Sequence, residues 1–145
     1  MFNIVPERAV IKIGVRALEP GVRAQIERRI KGFVQAQAES YGLGCRIDYV
    51  NKYPVLVNEA QHTAFARQVA IDLLGAERVS EREPTMGSED FAFMLQKVPG
   101  AYVRLGNGVG SDGGCMVHNP GYDFNDEALP VGAAYWVRLV HAALA

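Results

Sequence analysis

Apolar and polar positions alternate between Ala9 and Leu18, with Ala9, Ile11, Ile13, Val15 and Ala17 on one side and Val10, Lys12, Gly14 and Arg16 on the other. A two-residue period predicts a strand with one polar face. From Pro20 the period lengthens. Val22, Ile26, Ile30, Phe33 and Val34 recur at helical spacing, Pro20 suits a first helical position, and Glu27 stands four residues before Lys31, so a helix is predicted that stops at Gly42. Cys45, Ile47 and Tyr49 alternate with Arg46, Asp48 and Val50 in a second predicted strand, and Tyr53-Pro54 forces an extended exit. Asn58 is placed to cap a helix from Glu59 to Leu74, whose Phe65, Val69 and Leu73 share a face before Gly75 ends it. A short helix is expected from a Ser88 cap to Lys97, closed by Pro99, followed by a strand from Ala101 to Leu105. The stretch from Gly106 to Gly114 is glycine-rich. Residues 125–145 read as a helix with Leu129, Ala133, Trp136, Val137 and Val140 on one stripe, with Pro130 marking its first turn and Asn125 to Leu129 a separate turn. The change from short strands to helix-rich sequence near Val55 to Asn58 is the natural boundary between two sub-structures.

These elements make an α/β (α+β) chain, and its composition fits. Of 145 residues 49% are hydrophobic and 21% charged, which suffices for a folded domain and excludes a disordered or collagen-like segment. A net charge of -1 offers no basic field for a nucleic-acid backbone, so no nucleic-acid partner is expected. No apolar run approaches the ~20 residues that cross a bilayer, and residues 1–8 lack the pattern of a secretion signal. Two cysteines, Cys45 and Cys115, make no disulfide scaffold. A reducing, cytoplasmic setting is therefore expected.

Several motifs carry competing chemistry. Gly108 to Gly113 has the spacing G-x-G-x-x-G after a predicted strand, but the residues that follow, Cys115 to Gly121, contain two helix breakers instead of the helix N-terminus that a dinucleotide pyrophosphate requires. No serine lies in a G-x-S-x-G elbow, which leaves a serine-hydrolase reading without support. His118 stands in a glycine-flanked loop with Asn119, Asp123, Asn125 and Asp126 close behind. It is either a metal ligand or a loop histidine bonded to a carbonyl. His62 and His141 read as solvated helix residues, and Cys115 lacks the further ligands of a structural zinc. In Met86 to Phe91, Ser88 and free amides could cap a helix or face a ligand carboxylate. Asn3 and Arg16 could be plain surface residues, although a guanidinium fork is also the preferred partner of a carboxylate.

Taken in order, Asn3 to Ala9, Gly14-Val15-Arg16-Ala17-Leu18, Met86-Gly87-Ser88-Glu89-Asp90-Phe91 and His118-Asn119-Pro120 with Tyr122 to Glu127 resemble the hippurate hydrolase and N-acyl-amino-acid amidohydrolase branch of the aminoacylase and carboxypeptidase metallohydrolases. The resemblance covers essentially the whole chain. It implies that residues 1–57 are the second half of an inserted βαββαβ lid and dimerisation domain, and residues 58–145 the C-terminal part of an α/β catalytic domain. By the same resemblance the complete enzyme uses two divalent metal ions, zinc, manganese or similar, and cleaves the amide bond of an N-acyl amino acid or small peptide. His118 then corresponds to a metal ligand, Asn3 and Arg16 to residues gripping the substrate carboxylate, and Gly87 and Ser88 to the pocket wall.

The family's other ligands, a Cys-Gly-His-Asp-type motif and a Glu-Glu pair containing the general base, are absent from these residues. No catalytic residue is therefore expected in this chain, which should be inactive alone and hold no metal tightly. Asn3 and Arg16 are thirteen positions apart, about 40 Å along a straight strand. They share a ligand only if the chain turns back, as at Pro6-Glu7, or if subunits complete one another's sites. A homodimer is expected, and the alternative function is a non-catalytic remnant serving as a dimerising or ligand-binding module.

Overall fold

The computed structural model describes residues 3–108 and 114–145, so the G-x-G-x-x-G expectation at Gly108 to Gly113 lies outside the described residues except for Gly108. The chain divides into two units: Met1–Val55 with Pro84–Glu89, and Leu56–Glu83 with Asp90–Ala145.

The first unit is built on helix α1, Pro20–Ser40. Proline occupies its first turn, where a missing N–H costs nothing, and the helix ends where the sequence predicts. Leu43 N–H reaches back to the Ala38 carbonyl (2.9 Å) and Gly42 N–H to that of Glu39 (3.0 Å), the paired bonds of a Schellman ending, with Gly42 at φ 65°. One side of α1 holds the segment that follows. Arg23 Nη1 donates to the Tyr53 carbonyl (2.6 Å), Asn51 Nδ2 donates to Glu27 (3.2 Å), and Lys31, paired with Glu27, lies 5.3 Å from the centre of the Tyr49 ring. Donation from Lys31, then from Asn51, holds the Glu27 carboxyl below its ordinary range.

The second unit contains α2 (Ala60–Leu74), a 3-10 turn (Ala76–Arg78), α3 (Phe91–Leu95) and α4 (Ala128–Leu144). Helices α2 and α4 pack together. Ala66 and Val69 of α2 and Ala92 of α3 are the buried apolar residues among those described, and the Tyr135 hydroxyl of α4 donates to the Ala66 carbonyl (3.0 Å). Burial raises the Tyr135 pKa. Phe65 and Leu73 flank Val69 half-buried, as the helical period predicts.

Three expectations need correction. The strands predicted at Ala9 to Leu18, Cys45 to Val50 and Ala101 to Leu105 form no ladder, and no strand occurs among the described residues. A strand exists only through hydrogen bonds to a neighbour, so an alternating pattern without a facing segment leaves Val10, Ile11 and Ile13 exposed. The α/β architecture is thus represented here by its helices alone. Next, Asn58 does not cap α2. Glu59 does, its carboxylate accepting from the Gln61 and His62 amides (3.0 and 2.8 Å). Ser88 likewise does not cap α3, which is only five residues long and starts after a turn at Asp90. Finally, the expected stripe of α4 faces outward: Leu129, Trp136, Val137 and Val140 are exposed, while Val131, Gly132, Ala134, Tyr135 and Leu139 are half-buried. A helix apolar on nearly every side has two candidate faces, and the one carrying Gly132 and Ala134 permits the closer approach. Pro130 lies in the first turn of α4, after a turn at Asn125 and Asp126.

The ending of α1 yields a test. A Cβ at Gly42 would touch nothing, so Gly42→Ala carries only the backbone cost of a left-handed residue, roughly 1 kcal/mol. Hydrogen exchange at residue 42 and at Leu43 should accelerate about fivefold. Gly44→Ala, equally open but without a positive φ, should leave both amides unchanged.

Candidate functional site

Four of the five residues singled out from the sequence, Asn3, Arg16, Gly87 and Ser88, belong to the first unit, and His118 belongs to the second. All five are exposed. The Arg16 guanidinium folds back over Gly14, where a Cβ would stand 3.6 Å from Nη1. Neither Asn3 nor Arg16 makes a hydrogen bond or ion pair with a described residue. Ser88 likewise has no hydrogen-bond partner among the described residues, and Gly87 lies beside Thr85, whose Oγ1 would be 3.9 Å from an added Cβ.

His118 sits at φ 69°, the left-handed region that histidine enters more readily than most side chains. A tight turn follows it. Asn119 N–H donates to the Met116 carbonyl (3.3 Å), Tyr122 N–H to that of Asn119 (2.9 Å), and Gly121 N–H to Asn119 Oδ1 (2.9 Å). The imidazole has no hydrogen-bond partner among the described residues.

Sequence reasoning missed three polar arrangements in the second unit. Glu59 bonds the His62 ring as well as two amides, with Nδ1 to Oε2 at 2.6 Å. The two amide bonds come first among the causes that hold its carboxyl down at about 2. The Asn58 side chain pairs with both backbone groups of Tyr102, donating to its carbonyl (3.0 Å) and accepting from its N–H (2.8 Å). The Asn107 side chain donates to the Asp123 carbonyl (2.9 Å) and accepts from Asn125 N–H (3.0 Å). The Glu-x-x-His spacing at 59–62 was a visible signal, whereas nothing in sequence distinguishes such asparagines from loop residues.

With this geometry in view, the comparisons place the chain. It matches Peptidase family M20/M25/M40 over residues 3–142 and belongs to that family. Among its relatives, IAA-amino acid hydrolase ILR1-like 4 of Arabidopsis thaliana is 31% identical over 99% of this chain and 33% of its own length. Hippurate hydrolase of Campylobacter jejuni is 33% identical over 95% of this chain and 35% of its own, and thermostable carboxypeptidase 2 of Saccharolobus solfataricus 32% over 99% and 35%. The chain thus spans about a third of the length of the curated relatives it matches. No solved structure matches it.

Membership carries an α/β fold and a general dependence on two metal ions. The donors among the described residues do not make up a two-metal centre: no group of three or more histidine, cysteine, aspartate or glutamate side chains placed to hold a metal occurs among them. Both cysteines are free thiols. No described helix is long and apolar enough to cross a membrane.

The Glu59 cap supplies a pH test. Its folded pKa of about 2 lies below the ordinary 4.5, so the cap contributes fully above about 4.5 and is lost as the pH falls through about 2. The Glu59 carboxyl resonance should titrate near 2 by NMR. Glu59→Gln should remove the acid loss of protection at the Gln61 and His62 amides, and a wild-type midpoint near 4.5 would show that the cap does not form.

Proposed function

We propose that this chain is the C-terminal portion of a metal-dependent amidohydrolase that cleaves the amide bond of N-acyl amino acids of the hippurate type, with residues 1–57 belonging to its lid and dimerisation domain and residues 58–145 to its catalytic domain. The match to the family across residues 3–142, together with relatives named for the hydrolysis of hippurate and IAA-amino acids, carries this reading. Arg16 and Asn3 grip the substrate carboxylate, Gly87 and Ser88 line the pocket, and His118 is one metal ligand. The substrates of such an enzyme share a free carboxylate, and a planar guanidinium is the side chain best shaped to bind one bidentately. The residues here provide recognition and a single ligand, so the chain alone is inactive and retains no metal tightly.

A second reading is a non-catalytic module that pairs with a copy of itself. The exposure of Val10, Ile11 and Ile13 along one unpaired segment favours it, because such an edge gains both backbone partners and apolar cover from another chain. Homodimerisation belongs to either reading; loss of substrate recognition belongs only to the second.

Arg16 separates them. In the full-length enzyme carrying this sequence, Arg16→Ala removes one partner of a desolvated charge pair, typically ~2 to 5 kcal/mol. At ~1.4 kcal/mol per decade, kcat/KM for N-acyl amino acids should fall at least about thirtyfold, with little loss on the matching amide lacking a carboxylate. Arg16→Lys should recover only part of it, since a point charge does not reproduce the fork. An equal fall on both substrates would show that Arg16 does not bind the carboxylate.

A further inference from the structure

The segment from Cys115 to Asn125 carries His118 with no helix or strand of its own, and the hydrogen bonds that shape its turn are local to it: Asn119 to Met116, Tyr122 to Asn119, and Gly121 to the Asn119 side chain. Bonds spanning so few residues barely offset the backbone entropy of ordering a turn, and they do not fix where the turn sits. The Asn107 side chain supplies the missing anchor. It donates to the carbonyl of Asp123 and accepts from the amide of Asn125, two groups that flank Phe124. This is the bonding pattern of one residue in a parallel ladder, performed by a side-chain amide in the absence of a facing strand.

Asn107 is itself held at a distance from the turn. Asn58 makes the antiparallel counterpart of the same device by bonding both backbone groups of Tyr102, and Glu59 N–H donates to the Gly100 carbonyl (2.9 Å). Leu105 lies against α4, since a Cβ at Gly132 would stand 3.4 Å from Leu105 Cδ2. Residues 100–107 are therefore fixed to the start of α2 at one end and rest on α4 near the other. On the far side of the turn, Ala128 N–H donates to the Asn125 carbonyl and leads into α4 (2.9 Å).

We propose that Asn107 is a positioning residue for His118: its amide clamps the backbone on both sides of Phe124 and so sets the place and the left-handed conformation of the turn that presents the imidazole. The inference deepens the reading of His118 as a functional ligand and rests on it for its purpose. Its geometry is tested without metal or substrate, so the failure of one can be told from the failure of the other. Asn107 contributes through the amide group and not through bulk. Removing the group should loosen the turn and leave the helices alone, and exchanging only its donor should loosen the Asp123 side alone.

Amide hydrogen exchange and backbone chemical shifts of the 145-residue chain, recorded by NMR without added metal, decide this. In Asn107→Ala the amides of Gly121, Tyr122 and Asn125 should exchange about tenfold faster, and His118 should lose the shifts of a left-handed residue, while Val69, Leu73 and Val137 keep their wild-type rates. Asn107→Asp retains the acceptor for Asn125 N–H but sets an oxygen against the Asp123 carbonyl. It should keep Asn125 protected while Gly121, Tyr122 and His118 respond, and it decides the matter if the alanine variant does not fold. Unchanged His118 shifts and turn amides in the folded variants would show that the turn supports itself. Acceleration spread equally over α2 and α4 would show a general structural role. Either result overturns the proposal.

Discussion

The second unit depends on the close approach of α2 and α4 at Ala66. A tyrosine hydroxyl brought into a helix interface must find an acceptor or forfeit its hydration, and Tyr135 finds the Ala66 carbonyl because residue 66 has only a methyl group to interpose. Val69, one turn further along α2, is buried with it. The starts of both helices are then fixed points for what lies between them, through Asn58 and Glu59 at α2 and through Asn125 at α4.

Beyond that contact the described residues hold little core. Ala66, Val69 and Ala92 are small side chains, and a 150-residue domain ordinarily buries about two thirds of the surface of its unfolded chain. The exposed apolar residues are not scattered. Ile11 and Ile13 fall on one side of a two-residue period, and Leu129, Trp136, Val137 and Val140 form one stripe of α4. Regular apolar faces of this kind are shaped for partners. The relatives are about three times as long as the chain, and the proposed function assigns the covering of these faces to the rest of such an enzyme.

Helices were legible because their signals are local. Pro20 and Gly42 bracket α1, Gly75 closes α2, and the spacing of Phe65, Val69 and Leu73 marks its buried side, each readable within a few residues. Strands were legible only as a pattern, since alternation at Ala9 to Leu18 says which face is apolar and nothing about which segment lies opposite. The face of α4 was misread because the sequence ranks apolar side chains by size, whereas packing against α2 favoured Gly132 and Ala134. Capping was misassigned by one residue: Asn58 and Glu59 are both competent caps, and the pairing of Asn58 with Tyr102, forty-four positions away, decided between them. Of the candidate site, the motifs named residues and a family; the fold of the Arg16 guanidinium over Gly14 and the left-handed backbone of His118 came only with the structure.

A chimera tests the central assignment most directly. Residues 3–142 would replace the matching third of the Campylobacter jejuni hippurate hydrolase, and the purified product would be assayed for folding, metal content and hydrolysis of a panel of N-acyl amino acids that includes hippurate. A folded, metal-loaded chimera that hydrolyses at least one of them is the expected result. The same folded and metal-loaded chimera without activity on any N-acyl amino acid would contradict the assignment.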